Sequence, residues 1–380
     1  MPERILGLAG EISKLVSARV DDIQRITMTS RILALNASIE AARAGQAGAG
    51  FAVVAEQVKS VSDRVTAIVD ELQDKLDPRI RELNTLGAAL IARLRGARLT
   101  DLALNMIEII DRNLYERSCD VRWWATDSAV VDCVARDDSS VAEHCAKRLG
   151  VILDAYTVYL DLWVADADGR VVANGRPGRF PQAVGRSVAN TPWFRQAMGS
   201  RDGTEFAVAD IDVQPVLGGR SVATYAAAIR EGGETSGRVI GVLGIFFDWQ
   251  AQSQTVVDGV RLSDEERQNT RCLIVDRDFR VIAASDRRGV LEEKYPLRTD
   301  GTSMGSYSPD GRTVVSFALT PGYETYRGLG WFGVVEQQAS APARGREAGP
   351  PARESGRVQR PAAAPNPSAP KPVHELVHSG

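Results

Sequence analysis

Few residues of this 380-residue chain are spaced for covalent chemistry. Its four cysteines (Cys119, Cys133, Cys145, Cys272) show no C-x-x-C spacing, and only three histidines accompany them. Zinc or redox chemistry is therefore not expected, no metal or cofactor is assigned, and the thiols read as buried and inert. His144 beside Cys145 reads as a coincidence on a helix face. No nucleophile–base–oxyanion set, phosphate loop or paired-carboxylate site stands out, so no enzyme is expected. One polar set instead shares a helix face. Asn36, Glu40 and Arg43 fall at i, i+4 and i+7, a single helix face on which hydrogen bonds and an ion pair can form. The plain alternative is a solvated face with an ordinary Glu–Arg pair.

These residues sit in RILALNASIEAARAGQAGAGFAVVAE, residues 31–56. Leu, Ala, Glu and Arg lose little side-chain entropy in a helix. Gly45, Gly48 and Gly50 then interrupt, because glycine accepts left-handed backbone. Phe51 restarts a helical rhythm through Val54, Val58, Val61, Val65, Ile68 and Leu72. A matching rhythm precedes the glycines at Ile5, Leu8, Ile12, Leu15 or Val16, Val20, Ile23 and Ile26. Two such helices joined by so short a turn fold back antiparallel. A turn centred on Gln46 predicts arms ending near residue 92, each about 70 Å long at 1.5 Å per residue. Pro78 is expected to kink the second arm or mark a break. A lone hairpin cannot bury its apolar stripe, so a coiled-coil four-helix bundle formed by a homodimer is expected.

A further helical run, residues 99–119, carries Leu102, Met106, Ile109, Ile110 and Leu114, and residues 123–153 remain mostly helical in pattern. The period then changes to alternation. Residues 159–174 alternate, turn at Asp168–Gly169 and alternate again, a β-hairpin signal. A short helix near 194–198 and strands at 219–229 and 237–247 follow. The pattern recurs in shorter form at 271–285, 313–319 and 330–337, which reads as a second, smaller copy of the same sheet unit. A long helix leading into strands with an embedded helix is an α+β sensor layout. The final stretch is rich in Pro, Ala, Gly and Arg, and a disordered tail is expected there. The expected modules are 1–95 (helical hairpin), 96–260 (sensor with its long leading helix), 261–338 (smaller sheet module) and 339–380 (tail).

Formal net charge of -3 and an even mix of acids and bases leave no basic footprint for nucleic acid. No apolar run reaches the roughly 18–20 residues that span a bilayer, and no signal peptide pattern opens the sequence. A soluble, cytoplasmic protein with reduced thiols is expected.

The stretch LNASIEAARAG followed by GFAVVAEQV closely resembles the cytoplasmic tip of bacterial methyl-accepting chemotaxis proteins. That resemblance implies that Asn36, Glu40 and Arg43, with Phe51, associate receptor dimers into trimers. It also implies that the exposed part of Ile32, Leu35, Ile39 and Val53 docks a chemotaxis histidine kinase and its coupling protein. Spacing alone makes those four ordinary core. Two departures stand out: the family's arginine between the tip glycines is Ala49, and no small-flanked Glu/Gln methylation pair is found, Asp70–Glu71 being the nearest. The output hairpin also precedes the sensor.

Farther on, WVADADGRVVANG, VGRSVANTPWFRQAM and GRVIGVLGIFFDW look like the double Cache (PAS-like) ligand-binding domain of bacterial sensors. By that resemblance Trp193 and Phe194 border a small-molecule pocket, and the places that grip an amino acid in the family fall at Thr191 and Phe246, with Asp248 nearby. Neither charge of a zwitterion then has a partner, so a less charged or apolar ligand, or none, is expected. Asp210, Asp212 and Tyr225 are pocket candidates by position. The resemblance implies a soluble chemoreceptor-like transducer coupling a sensor to a kinase. The alternative kept open is a ligand-binding or scaffolding dimer whose hairpin serves only dimerisation.

Overall fold

In the computed structural model, which describes residues 2–338, helix α1 (Pro2–Arg43) passes through one 3-10 turn (Gly45–Gly48) into α2 (Ala49–Trp124). The expected tail from residue 339 lies outside the described residues. Helix α2 runs 76 residues without interruption. Pro78 does not break it, correcting one of the two expected outcomes: the residue sits exposed inside the helix and removes one backbone donor. Long flanks of good helix formers carry the helix across that loss.

Burial in the hairpin follows a strict seven-residue period. Val20, Thr27, Ala34 and Ala41 of α1, Gly48 at the turn, and Ala55, Ser62 and Val69 of α2 are the buried positions. This is the period of helices packed side by side along a common seam, and small residues at it let the arms approach closely. Apart from Val20, the large apolar residues of the expected stripe lie outside the seam. Ile12, Ile26, Val54, Val61, Ile68 and Leu72 are all exposed on the single chain. A groove lined by Ile23, Ile26, Val61 and Val65 runs over Thr27 and Ser62.

Beyond the hairpin, α3 (Ser128–Ala135) and α4 (Ser139–Ala155) are each started by an aspartate, Asp127 and Asp138, whose carboxylate accepts a first-turn N–H. Strands β1 (Tyr159–Asp166) and β2 (Val171–Asn174), helix α5 (Pro192–Met198), and strands β3 (Ala207–Gln214), β4 (Arg220–Arg230) and β5 (Val239–Asp248) complete the first sheet. Its order is β2-β1-β5-β4-β3, all antiparallel. Helices α6 (Trp249–Asp258) and α7 (Asp264–Gln268) lead to β6 (Thr270–Val275), β7 (Val281–Ala284), β8 (Met304–Tyr307), β9 (Thr313–Leu319) and β10 (Phe332–Gln338). The second sheet is ordered β7-β6-β10-β9-β8, the same arrangement repeated. Even the turn chemistry repeats. Asp166 Oδ1 accepts from the N–H groups of Asp168 and Arg170, and Asp276 Oδ1 accepts from those of Asp278 and Arg280.

Helix α2 is the spine of both sheets. It meets the second sheet first: Arg95 Nε donates to Gln337 Oε1 at 2.6 Å, Thr100 Oγ1 donates to the Gly305 carbonyl at 3.2 Å, and β10 passes so close that Gly333 lies against the backbone of Ala103. The first sheet follows, with Met106, Ile107, Ile110, Leu114 and Val121 in one apolar cluster with Leu162, Leu243, Ile245 and Phe247. The sheets also touch each other. Trp249 Nε1 donates to the Ile282 carbonyl at 2.7 Å, its ring meets Trp331 edge-on at 5.0 Å, and the Tyr225 and Tyr326 hydroxyls lie 3.1 Å apart.

Candidate functional site

The first sheet has two faces, and strand alternation sorts the candidate pocket residues between them. Trp193 and Phe194 of α5 and Phe246 of β5 come together on the face turned away from α2, in a cluster with Trp163, Phe180 and Val242. The Trp163 and Phe246 rings are 4.3 Å apart and Trp193 meets Phe246 edge-on at 6.1 Å. Tyr225 is not brought to them; it points to the opposite face, against α2 and Tyr326. Asp210 and Asp212 lie exposed on β3, where a register irregularity between Ala209 and Asp212 interrupts the alternation. Each carboxylate accepts the N–H of the following residue. Asp248 forms a two-oxygen ion pair with Arg220 Nη2 at 2.7 and 2.9 Å and caps α6. Thr191 precedes α5 and its hydroxyl donates to the Val188 carbonyl at 2.7 Å.

Sequence reasoning missed the polar centre of that face. Asp161, fully buried on β1 and registered opposite Phe246, accepts from Leu162 N, Trp163 Nε1, Asn174 Nδ2 and Arg176 N at 2.7–3.0 Å. It fixes the Trp163 ring and the bend after β2. The only sequence signal was a lone aspartate inside an apolar strand, and such a residue must find partners when buried. Two more buried acids lie along α2. Asp111 accepts from Thr320 Oγ1 and Gly322 N, while Asp120 faces Arg117 at 3.3 Å and takes the Tyr159 hydroxyl proton in a hydrogen bond. Arg117 itself is buried beneath the rings of Tyr159 and Phe247. Burial pushes the Asp111, Asp120 and Asp161 carboxyls above the usual carboxylate range, hydrogen bonds opposing. The folded state thus holds protons that the unfolded chain releases at the same pH. Stability from these groups rises as pH falls through their folded pKa values and levels off below the unfolded value of about 3.9. The contribution of these three carboxyls to the stability of the sheet half should therefore grow as the pH is lowered from neutral toward the unfolded carboxylate value. Asp111→Asn should flatten that slope, which differential scanning calorimetry across the range measures.

Among the described residues no three His, Cys, Asp or Glu side chains gather as a metal would need. No described helix is long and apolar enough to cross a membrane.

At the other end of α2, the hairpin tip has a different character. Gly45 takes a left-handed φ of 57°, which its lack of a side chain allows. A Cβ on Gly48 would press into the carbonyl oxygen of Ala41, whereas one on Gly50 would meet nothing within 4 Å. Two glycines thus build the turn, and the third leaves open surface. Around it Ile32, Leu35, Asn36, Ile39, Glu40, Arg43, Phe51 and Val53 are all exposed, Phe51 at 74 %. Glu40 and Arg43 form an ion pair at 2.8 Å on that surface. An exposed pair of this kind is worth at most about 1 kcal/mol to folding, so stability does not account for it. A small-residue seam, a two-glycine closure and an apolar–polar tip now stand together.

Residues 4–90 match the methyl-accepting chemotaxis protein (MCP) signalling domain. The MCP match covers the hairpin and ends within α2, before the sheets. Over 101 residues, 27% of this chain, the sequence is 36% identical to methyl-accepting chemotaxis protein HlyB of Vibrio cholerae. Over 117 residues, 29% of the chain, it is 33% identical to methyl-accepting chemotaxis protein McpP of Pseudomonas putida. The chain spans only 18% and 21% of the length of those two relatives. By structure the chain is similar to the sensory domain of the Campylobacter jejuni chemoreceptor Tlp3, with a TM-score of 0.49 at 14% identity over 64% of this chain and 93% of that one. In the matched hairpin, Ala49 begins α2 next to the turn glycine Gly48.

Proposed function

We propose that this chain is a chemoreceptor-type signal transducer. The two-sheet half senses a small molecule, and the hairpin tip controls a chemotaxis histidine kinase through its coupling protein, in the cytoplasm. One observation carries the reading. The hairpin fills its own seam with small residues and leaves its large apolar side chains and the Glu40–Arg43 pair exposed. Each such side chain is worth roughly 1.5–3 kcal/mol on full burial, so the surface favours association. The flanks of both arms, with the groove over Thr27 and Ser62, suit a second hairpin in a four-helix dimer. The tip set, including Ile32, Leu35, Asn36, Ile39, Phe51 and Val53, is left for contacts between dimers and with kinase and coupling protein. Helix α2 links the sensor to that tip without a break, so a shift in the sheets reaches it through one element. No catalytic role is assigned.

The test is kinase autophosphorylation with coupling protein, with and without this chain, over a range of chain concentrations. A change in kinase activity that Glu40→Ala removes, with the dimer intact by sedimentation, is the expected result. An unchanged kinase beside an intact dimer would leave the hairpin as a dimerisation device and the protein as a scaffold.

A further inference from the structure

We propose that the cleft between the two sheets, floored by α6, binds a small uncharged organic molecule that carries hydrogen-bonding groups beside an apolar ring or chain. This rests on the sensor reading above and names its site. The aromatic face of the first sheet is already closed by its own rings, since Trp163, Trp193 and Phe246 are at most 5% exposed. The cleft, in contrast, has a volume of about 620 Å3, within the range of small-molecule sites.

Three elements meet there. The first sheet contributes Val213 and Ser221, helix α6 contributes Trp249 and Ser253, and the segment after β7 contributes Val290 and Leu291. An occupant would therefore touch both sheets at once, as a ligand must if it is to set their relative position. Lining chemistry gives the class. Ser221, Gln250 and the Gln254 side-chain carbonyl offer neutral donors and acceptors beside the apolar side chains of Val213, Val290 and Leu291, over the buried Trp249. One charge inside is paired, since both Asp248 oxygens hold Arg220; Asp258, which accepts from the neutral Gln254 Nε2 at 2.9 Å, and Arg287 and Glu292 at the rim are exposed to water. A charged ligand would lose hydration, and the charges it could meet, Asp258, Arg287 and Glu292, are exposed and solvated, so an ion pair with them gains little. The far wall is also strained. Arg287 and Leu291 hold left-handed φ values of 61° and 66°, disfavoured for residues with a side chain, and hydrogen bonds from their N–H groups to Ala284 and Val281 keep them there. Strain of this kind collects at binding sites.

The test uses the full chain and three probes of one size: benzamide (neutral), benzoate (anionic) and benzylamine (cationic). Binding is read from the Trp249 indole N–H resonance, assigned by its loss in Trp249→Phe. Benzamide should shift that resonance saturably with a Kd of about 1 mM, as expected of a fragment, and bind at least tenfold more tightly than either charged probe. Ala251→Trp, which fills the cleft from α6, and Ser221→Leu, from the facing sheet, should each weaken benzamide at least tenfold without lowering the melting temperature. Equal or tighter binding of benzoate or benzylamine would overturn the proposal. So would no shift with benzamide, or unchanged affinity in both variants. Kinase control through Glu40 is measured separately, so an empty cleft beside intact kinase control sinks this proposal alone.

Discussion

Gly48→Val is expected to part the two arms at the tip and to remove any activity that depends on it. The new Cβ would press into the Ala41 carbonyl oxygen and lie 3.0 Å from the Ala41 carbonyl carbon and Cα. These are backbone atoms of the facing helix, so relief requires the arms to separate rather than a side chain to swing away. Overpacking of this kind costs about 1–3 kcal/mol where neighbours can yield, and here they yield only by opening the seam at Ala41 and Ala55. Thermal unfolding followed by helical circular dichroism, with a distance measured between probes on the two arms, would report it. Gly50→Ala is the matched control, because that position faces open space within a helix and should gain roughly 0.5–1 kcal/mol. A Gly48→Val hairpin that melts with the parent would show that the arms do not approach as closely as described.

Asp161→Ala should be the most damaging single change in the sheet half. It removes the acceptor of four donors, two from backbone and two from the Trp163 and Asn174 side chains, at a position with no access to water. Buried donors left without partners are destabilising by about 1–3 kcal/mol each. Partial relaxation should leave a net loss on the order of 3–5 kcal/mol, or about 10 °C in melting temperature for a unit of this size. Asp161→Asn should fall between, because its amide can accept but also points two donors at groups that are themselves donors. Tryptophan emission reports the transition, since the Trp163 indole N–H loses its partner. A melting temperature within a degree of the parent in Asp161→Ala would refute the keystone role.

How much of this was legible beforehand depends on the scale of the signal. The hairpin was, because three glycines between two helical rhythms admit few other folds. Its seam was not: large residues at three- and four-residue steps draw the eye, yet Ala34, Ala41, Gly48 and Ala55 are what the arms bury. The β1–β2 and β6–β7 hairpins were visible from alternation around Asp–x–Asp turns. Strand β3 was not recognised, since Asp210 and Asp212 sit beside a register irregularity and read as pocket groups. Strand β8, Met304–Tyr307, is short and only partly buried, so nothing in its pattern marks it. Helix α6 was not recognised, although Asp248 caps it. Candidate pocket residues were named by type, but which face Tyr225 occupies follows from register, and register is a property of the neighbouring strands.

The uninterrupted course of α2 has a mechanical consequence. The sheets grip it from about Arg95 onward, and the tip lies some 47 residues away, roughly 70 Å along a helix rising 1.5 Å per residue. A rod that long magnifies small angles: each degree of tilt imposed at the sheets displaces its free end by about 1.2 Å. Five degrees would carry the tip about 6 Å, more than half the 8–10 Å that separates the axes of packed helices. Rearrangements too slight to disturb either sheet would still be large at the tip.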